Sequence, residues 1–405
     1  MDFDETPEEI AFRAEARAWL EEHAPPFAAE GAKVSVYISD PEEEHRYLTA
    51  SKAWQAHKYD HAWAGITWPT TYGGRGGTPT QDGIFRSEEA KLLSAWGVFA
   101  VGIGMAGPTI MAHGTEEQKQ RYLHPMLRGD EVWCQLFSEP NAGSDLGGLS
   151  TSAVRDGDEW VVNGQKVWNS GAHYSDYGIL LTRSNLDAPK NRGITYFLVD
   201  MKTPGIECRP LRQITGAAHF NEVFFTDVRI PHANVLGEVD GGWGPMMTTL
   251  SNERALIGGS PRAVFPGTVD LARRMGVADD PTMRQLMAQS YIRHQIMKYL
   301  GYRAKTAATK GVAPGPESSI IKLFLSQHLS AESDMLMAML GPDALLWGES
   351  AIDDGRWQLD FVGQWNPKIG GGTDQIQRNT IGEKVLGLPS EPRVDKGIPF
   401  RDIPK

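Results

Sequence analysis

The spacing of apolar and polar residues predicts helices near the start of the chain. Thr6 is followed by Pro7 and, three residues on from Thr6, by Glu9. Thr and Glu at this spacing form a capping box, and Pro is favoured at the first helical position. The helix is therefore predicted to begin near residue 7. Its apolar positions are Ile10, Phe12, Ala16, Trp19 and Leu20.

The pattern changes to short strands from about residue 132. Asn163-Gly164 stands between 159–162 and 165–168, which is typical of a two-residue hairpin turn between two strands. Three further runs are short and rich in β-branched or aromatic residues, which favours strands. They are 178–182, 194–199 and 222–228.

Long helical segments are predicted again in the last part of the chain, at 243–275, 282–310, 317–341 and 373–387. The order is therefore helices, then strands, then helices. This order predicts an α+β protein with three domains. The expected boundaries are 1–131 for an N-terminal α-helical domain, 132–238 for a middle β domain and 239–405 for a C-terminal helical bundle.

Composition and charge narrow the functional classes. With 40% hydrophobic and 22% charged residues, the chain is of the ordinary globular type. No apolar run approaches the ~20 residues that span a bilayer, and the acidic first residues lack the features of a secretory signal. Two cysteines, Cys134 and Cys208, are too few for a disulfide framework or a thiolate zinc site. We expect a cytoplasmic protein.

The net charge is −11, and the sequence has no basic cluster. Nucleic acid and anionic membrane surfaces attract basic proteins, so neither is expected as a partner.

One glycine motif argues for a nicotinamide site, but its context argues against it. Residues 102–107, Gly-Ile-Gly-Met-Ala-Gly, satisfy the GxGxxG pattern. That pattern binds dinucleotides only between a strand and a full helix. Here Pro108 and Gly114 follow closely, and the neighbouring segments are helical. We therefore interpret the motif as a tight helix connection.

A stronger motif occupies 134–146, Cys-Gln-Leu-Phe-Ser-Glu-Pro-Asn-Ala-Gly-Ser-Asp-Leu, where a strand runs into a loop. At this point the sequence resembles the acyl-CoA dehydrogenase family, which implies a flavin cofactor. Exposed amides and the Ser138 hydroxyl can hydrogen-bond the edge of a flavin ring. The resemblance implies contacts with FAD, and for Ser144 also proximity to the pantetheine of the substrate. The positions concerned are Leu136, Phe137, Ser138, Gly143 and Ser144. A turn without a ligand is the alternative.

A second motif, Trp168-Asn169-Ser170, matches the Trp-x-Thr/Ser pattern of the same family. An indole can stack on a flavin. If the segment continues a strand, the Ser170 hydroxyl lies on the same face as Trp168. The resemblance implies that both residues contact FAD. A tryptophan packed in the β-domain core is the alternative in a chain with 12 tryptophans.

A third motif, residues 370–379, joins Gly370-Gly371-Gly372 to a helix that Thr373 can cap. Free amides at a helix start bind anionic or carbonyl oxygens. The resemblance implies that this loop reaches FAD, often that of a neighbouring subunit, and the thioester carbonyl. Gly372, Thr373 and Gln375 are the expected cofactor contacts. An ordinary helix start is the alternative.

The reaction implied by the resemblance needs a carboxylate that removes the α-proton. Many family members place a glutamate directly before the Gly-Thr of the third motif, but this chain has Gly371 there. In the isovaleryl-CoA type the glutamate lies on the first long C-terminal helix. Residues 250–254, Leu-Ser-Asn-Glu-Arg, match that arrangement, so Glu253 is the expected base.

The residues around Glu253 are largely apolar, and apolar surroundings raise the pKa of a carboxyl group. They include Met246, Met247, Leu250 and 255–257. A solvated surface pair of Glu253 with Arg254 is the alternative. Arg254 is also a candidate substrate contact. Gly258 and Gly259 hint at space for a bulky or branched acyl group.

The resemblance also implies roles for three backbone or cationic groups. The amide of Gly371, with a ribityl hydroxyl of FAD, polarises the thioester carbonyl. Arg284 lies near the position of a basic residue against the FAD pyrophosphate, for which a guanidinium is suited. Gly341 falls where relatives have a Gly-Gly turn near a partner's adenosine, although Pro342 replaces the second Gly.

The family has an α-helical domain, a small β domain and a C-terminal four-helix bundle. It implies an enzyme that binds an acyl-CoA substrate and passes electrons to an electron-transferring flavoprotein. A homotetramer or homodimer is expected. Two alternatives on the same fold stay open, a silent subunit of a heterotetramer and a flavin monooxygenase.

Overall fold

The computed structural model describes residues 5–31, 38, 40–93, 97–258, 265–309, 315–316 and 318–403. The chain forms two compact units. The first extends to Glu253 and includes the C-terminal segment from Pro392, and the second is Arg254–Glu391. The predicted domain boundaries at 131/132 and 238/239 remain predictions. Among the described helices, none is both long and apolar enough to cross a membrane.

Among the described residues, six α-helices open the first unit, and the first of them begins where the sequence predicts. Thr6 Oγ1 accepts a hydrogen bond from the Glu9 amide at 3.2 Å, and Glu9 Oε2 accepts one from the Thr6 amide at 3.0 Å. Phe12 and Leu20 are buried, whereas Ile10 is 56% exposed. The helices are α1 Pro7–His23, α2 Pro25–Gly31, α3 Pro41–Asp60, α4 Pro79–Glu89, α5 Gly107–His113 and α6 Glu116–Arg128.

The GxGxxG segment is helical, as the helix-connection interpretation expects. Gly102–Ala106 forms a π-helical turn that leads directly into α5. A Cβ atom on Gly107 would lie 2.4 Å from the Trp68 indole, so this glycine lets the start of α5 pack closely against Trp68. The motif has a packing role here.

In the part of the first unit that the structure describes, seven strands form a single sheet. The predicted strands at 178–182, 194–199 and 222–228 are present and slightly longer. The sheet order is β1-β4-β2-β3-β7-β6, and β5 also pairs with β4. The strands are β1 Trp133–Leu136, β2 Ser152–Asp156, β3 Glu159–Val167, β4 Tyr177–Arg183, β5 Ile194–Asp200, β6 Ile206–Leu211 and β7 Phe220–Pro231.

The hairpin predicted at Asn163-Gly164 is wrong. These residues lie inside the continuous strand β3, and the chain turns earlier, between Asp156 and Glu159. The pairing of β3 with β7 shifts register at this point. Asp227 on β7 has a φ of 49°, and its amide donates to Asn163 Oδ1 at 2.9 Å. Asn163 therefore stabilises a β-bulge in β7.

The second unit is helical. The predicted segment 243–275 contains α7 and α8, and residues 259–264 between them lie outside the described residues. The predicted segment 373–387 contains α13 followed by a π-helical turn, Ile381–Val385. Buried Leu271, Met335 and Trp357 belong to the core of this unit. The helices are α7 Trp243–Gly258, which begins in the first unit, α8 Phe265–Arg274, α9 Pro281–Thr309, α10 Ser318–Leu340, α11 Arg356–Gly363, α12 Asn366–Ile369 and α13 Asp374–Thr380.

Candidate active site

The first motif continues β1 into a loop. Leu136 is fully buried and Phe137 is 3% exposed, so a ligand would contact Leu136 through its main chain. The Phe137 ring meets the Tyr196 ring edge to face, with centroids 5.7 Å apart. Ser138 is partly buried, whereas Gly143 and Ser144 are exposed further along the loop.

A buried ion pair holds this loop. Glu139 is 6% exposed and accepts hydrogen bonds from the amides of Ser150 at 2.7 Å and Thr151 at 2.9 Å. Lys166 on β3 is fully buried and donates to Glu139 Oε1 at 2.8 Å and to the Phe137 carbonyl at 3.0 Å. The loop is thus tied to β3 on both sides of Ser138.

The pair is charged near neutral pH. Burial lowers the pKa of Lys166 to about 8, although Glu139 acts in the opposite direction. Burial alone would raise the pKa of Glu139, but the charge and hydrogen bond of Lys166 outweigh burial, and the pKa is lowered. An ionised carboxylate therefore faces a lysine that is protonated at pH 7.

The second motif differs from its predicted geometry. We expected Trp168 and Ser170 on one face of a strand, but β3 ends at Val167. Trp168 has a φ of 65°, in the left-handed region, which is unusual for an aromatic residue. Its side chain is 61% exposed, so the core-tryptophan alternative is also wrong. Ser170 is exposed in the turn that follows.

The first two motifs lie side by side. The Val167 amide donates to the Ser138 carbonyl at 2.9 Å. Asn169 Nδ2 donates to the Gln135 carbonyl at 2.7 Å. Because β1 and β3 are separated by two other strands in the sheet order, these bonds join strands that are not sheet neighbours. The structure therefore brings Ser138 and Trp168 together at the edge where β1 and β3 end.

The first turns of α7 pack on the same region of the first unit. Thr249 is fully buried, and its hydroxyl lies 2.9 Å from that of Thr109 on α5 and 3.0 Å from that of Tyr196 on β5. Residues four apart share one face of a helix. Glu253 is therefore on the face of α7 that contacts Tyr196, and Tyr196 in turn contacts Phe137.

Glu253 itself is partly buried, and Arg254 beside it is partly buried as well. Of the apolar residues predicted around it, Met246 is 1% exposed and Met247 is 43% exposed. Only part of the predicted apolar neighbourhood is therefore shielded from solvent.

The third motif belongs to the second unit. Gly371 and Gly372 have φ values of 63° and 84°, which favour glycine. Gln377 Nε2 donates to the Gly371 carbonyl at 2.9 Å, and Lys322 Nζ donates to the Gly372 carbonyl at 2.6 Å. A trans peptide directs its N–H opposite to its C=O. The amides of Gly372 and Thr373 therefore point away from Gln377 and Lys322.

The helix after this loop is capped as the sequence predicts. Thr373 Oγ1 accepts a hydrogen bond from the Ile376 amide at 3.2 Å. Asp374 is buried and accepts a hydrogen bond from Ser326 at 2.6 Å, and Lys322 lies 3.5 Å from it. Gln375 is exposed.

Two further predicted residues lie elsewhere in the second unit. The Arg284 side chain, on α9, is 65% exposed and lies 3.7 Å from Asp279. Gly341 follows α10 with a φ of 56°, and a Cβ atom there would meet no atom of the described residues within 4 Å. Neither is held by a buried partner of the kind seen at Glu139.

Sequence reasoning missed the residues that hold the two loops, Glu139, Lys166, Lys322 and Gln377. Lys166 carries a readable signal, because it follows the buried Trp160 and Val162 of β3 with a period of two. A lysine on the inward face of a strand requires a buried acceptor.

Family models match three consecutive parts of the chain. They are the N-terminal domain of acyl-CoA dehydrogenase over residues 6–130, the middle domain over 134–228 and the C-terminal domain over 240–386. The chain belongs to the acyl-CoA dehydrogenase family. It is thus an oxidoreductase of a family that uses a flavin, and the α+β fold prediction is confirmed.

Similar proteins cover almost the whole chain. The acyl-CoA dehydrogenase IpdE1 of Mycobacterium tuberculosis is 35% identical over 94% of this chain and 98% of its own. A solved steroid ACAD, Tcur3481-Tcur3483, covers 96% of this chain and 100% of its own with 28% identity and a TM-score of 0.82. The ChsE4-ChsE5 complex of M. tuberculosis covers the same shares with 30% identity and a TM-score of 0.80.

Proposed function

We propose that the protein binds FAD along the sheet edge formed by Phe137, Ser138 and Trp168, and oxidises an acyl-CoA to the trans-2-enoyl-CoA. The observation that carries this proposal is the pairing of the first two motifs. Buried hydrogen bonds fix both loops, yet they leave the Trp168 indole 61% exposed on left-handed backbone. Backbone strain and an exposed aromatic ring together favour a ligand site over a structural role.

The residues present at this edge fit a flavin. An exposed indole offers a flat apolar surface, and Ser138 and Ser170 offer hydroxyl donors nearby. In the second unit, taken by itself, the amides of Gly372 and Thr373 are turned away from the partners of their carbonyl groups and can donate to an anionic or carbonyl oxygen. When bound, FAD supplies the acceptor for the hydride that leaves the β carbon.

Glu253 removes the α-proton in this proposal. Its carboxylate becomes a carboxylic acid as the electron pair of the C–H bond moves into the new double bond. Two observations support this role for Glu253. Glu253 shares a helix face with Thr249, and Thr249 contacts Tyr196, which in turn contacts Phe137 beside the proposed flavin site. Gly371 cannot take a proton, and its proposed contribution is an amide donor to the thioester carbonyl.

The substrate is proposed to be the CoA thioester of a bulky, ring-containing acid. The support is the similarity to the steroid ACAD Tcur3481-Tcur3483 over 96% of the chain. Gly258 is the last residue of α7, and Gly259 lies outside the described residues. An electron-transferring flavoprotein is the proposed acceptor.

A second candidate is a role as one subunit of a heteromeric enzyme. Two of the similar solved structures, Tcur3481-Tcur3483 and ChsE4-ChsE5, name two components each. In this case the chain purified alone would lack part of its FAD site.

One experiment separates these possibilities. The chain is purified alone, its FAD is released by heat and quantified, and the holoenzyme is titrated anaerobically with straight-chain, branched and steroid-ring acyl-CoAs. The proposal expects one FAD per chain and flavin bleaching that is strongest with the ring-containing thioester. Absence of flavin from the isolated chain favours the heteromer. Product formation that needs oxygen favours a monooxygenase, and bleaching only by short straight chains overturns the substrate proposal.

A further inference from the structure

Three histidines meet outside the proposed active site, where two helices of the first unit end. His23 is the last residue of α1, His57 lies in the last turn of α3 and His61 directly follows α3. Each ring offers one nitrogen atom, and the three atoms all lie within 4.8 Å of one another. No step of the proposed dehydrogenation involves these residues.

The spacing suits a single ion. His57 Nε2 lies 3.1 Å from His23 Nδ1. A tetrahedral ion with bonds of about 2.0–2.1 Å to imidazole holds its ligand atoms about 3.3 Å apart. His57 and His61 are four residues apart, the spacing at which a helix presents two histidines to one zinc ion. The His23 and His57 nitrogens are already near this separation, and the His61 nitrogen lies within 4.8 Å of both.

In two of the three histidines the second ring nitrogen faces an oxygen atom. His61 Nδ1 lies 2.8 Å from the His57 carbonyl oxygen, so it carries the proton and leaves Nε2 as the lone-pair donor. His23 directs Nε2 towards the Glu22 carboxylate, 4.0 Å away. Metal-bound histidines characteristically direct the second ring N–H to a carbonyl or carboxylate oxygen, which fixes the tautomer.

Charge and packing also favour a cation. The carboxyl ends of α1 and α3 both lie here, and the partial negative charge of a helix C-terminus stabilises positive charge. The Trp19 ring stacks on His23 and His57, with centroids 4.8 Å and 5.8 Å away. This indole restricts the planes of two of the three ligands.

We propose that His23, His57 and His61 form a binding site for a divalent transition metal ion of the zinc class. Three neutral imidazoles suit Zn²⁺ and Cu²⁺ better than Ca²⁺ or Mg²⁺, which prefer oxygen ligands. Water completes the coordination. The ion joins the C-terminal ends of α1 and α3.

The test uses the FAD-loaded enzyme after chelator treatment. Calorimetric titration with Zn²⁺ is expected to give one ion per chain. Because loss of even an outer-shell partner weakens metal binding by about 10- to 100-fold, His61→Gln should weaken it at least that much. His61 is exposed, so the variant keeps the core intact. His45→Gln, at an exposed histidine near the start of α3, is the matched control and should bind as wild type.

Copper supplies a second readout. Cu²⁺ added to the oxidised enzyme should show nitrogen hyperfine splitting in its electron paramagnetic resonance spectrum, and His23→Gln and His57→Gln should each remove part of it. Circular dichroism shows whether His23→Gln or His57→Gln fails to fold. If either does, the affinity of His61→Gln for zinc tests the proposal. Zinc binding with the same affinity in wild type and His61→Gln, or binding lost equally in His45→Gln, overturns the proposal.

Discussion

The hydroxyl of Tyr196 lies 3.0 Å from the hydroxyl of Thr249, and this contact joins β5 to α7 one turn before Glu253. Both side chains are fully buried. A buried hydrogen bond between neutral groups contributes about 1 kcal/mol to stability. The larger consequence is positional, because the same contact sets the face of α7 on which Glu253 stands.

Tyr196→Phe tests this contact. We expect the free energy of unfolding in urea to fall by about 1 kcal/mol, since Thr249 keeps its bond to Thr109. Flavin bleaching by acyl-CoA should slow several-fold because α7 loses one of its anchors. Tyr177→Phe removes a hydroxyl bonded to Arg121 near the surface and serves as the control. Equal bleaching rates in all three proteins would show that Tyr196 does not position the base.

Lys166→Met tests the buried ion pair. Removing one partner leaves the Glu139 carboxylate buried with only its amide and hydroxyl donors, which costs about 3–5 kcal/mol. The double variant Lys166→Met/Glu139→Gln should recover part of that loss. In both variants the FAD content should fall as the free energy of unfolding falls. Lys202→Met, whose lysine is 76% exposed and pairs with Asp176, should change the unfolding free energy little.

Trp168→Gly separates stability from cofactor binding. Glycine relieves the left-handed backbone but loses entropy on folding, so the free energy of unfolding should change by less than about 1 kcal/mol. Loss of ring stacking should weaken FAD binding about 3- to 10-fold. Trp347→Gly, at an exposed tryptophan with a φ of −141°, is the control. Unchanged FAD affinity would argue against Trp168 as a flavin contact.

The low pKa of Glu88 predicts how the free energy of unfolding changes at acid pH. Burial alone would raise its pKa, but hydrogen bonds from Arg17, Lys91 and Arg13 outweigh burial and lower the pKa from 4.5 to about 2. As pH falls, the Glu88 carboxylate is protonated in the unfolded chain before it is protonated in the folded chain. The stabilisation by ionised Glu88 is therefore complete above pH 4.5 and is lost as pH falls through 2. Because Arg17 and Lys91 are about half exposed, water weakens their interaction with Glu88, and the stabilisation is about 3 kcal/mol at most.

The measurement is urea unfolding between pH 5 and 2. Glu88→Gln should be less stable than wild type at pH 5, and the difference should shrink towards pH 2. Glu22→Gln, at a side chain that is 78% exposed, should follow the wild-type curve. A constant difference across this range would contradict the low pKa.

Features set by neighbouring residues could be predicted from the sequence. The capping box of α1 and the Thr373 cap need only three residues of chain, and both are present. The hairpin at Asn163-Gly164 failed because its partner, Asp227, is 64 residues away and turns the site into a bulge. Strand β6 was missed because it is an edge strand that contains Pro210.

Some features of the candidate site could likewise be predicted from the sequence, and others could not. The motif residues themselves could be recognised, because their types and order are readable along the chain. The left-handed conformation of Trp168 and the Lys166–Glu139 pair depend on contacts between β1 and β3, which are not neighbours in the sheet. Contacts between residues so far apart along the chain produce no recognisable pattern in the local sequence.

The most direct test of the account is the rate of anaerobic flavin bleaching in Glu253→Gln, measured by stopped flow with the acyl-CoA that bleaches wild type fastest. General-base catalysis contributes about 10²- to 10⁴-fold, so bleaching should slow by that factor. FAD content should stay unchanged, and Glu238→Gln, an exposed glutamate, should behave as wild type. Bleaching of Glu253→Gln at the wild-type rate would contradict Glu253 as the base.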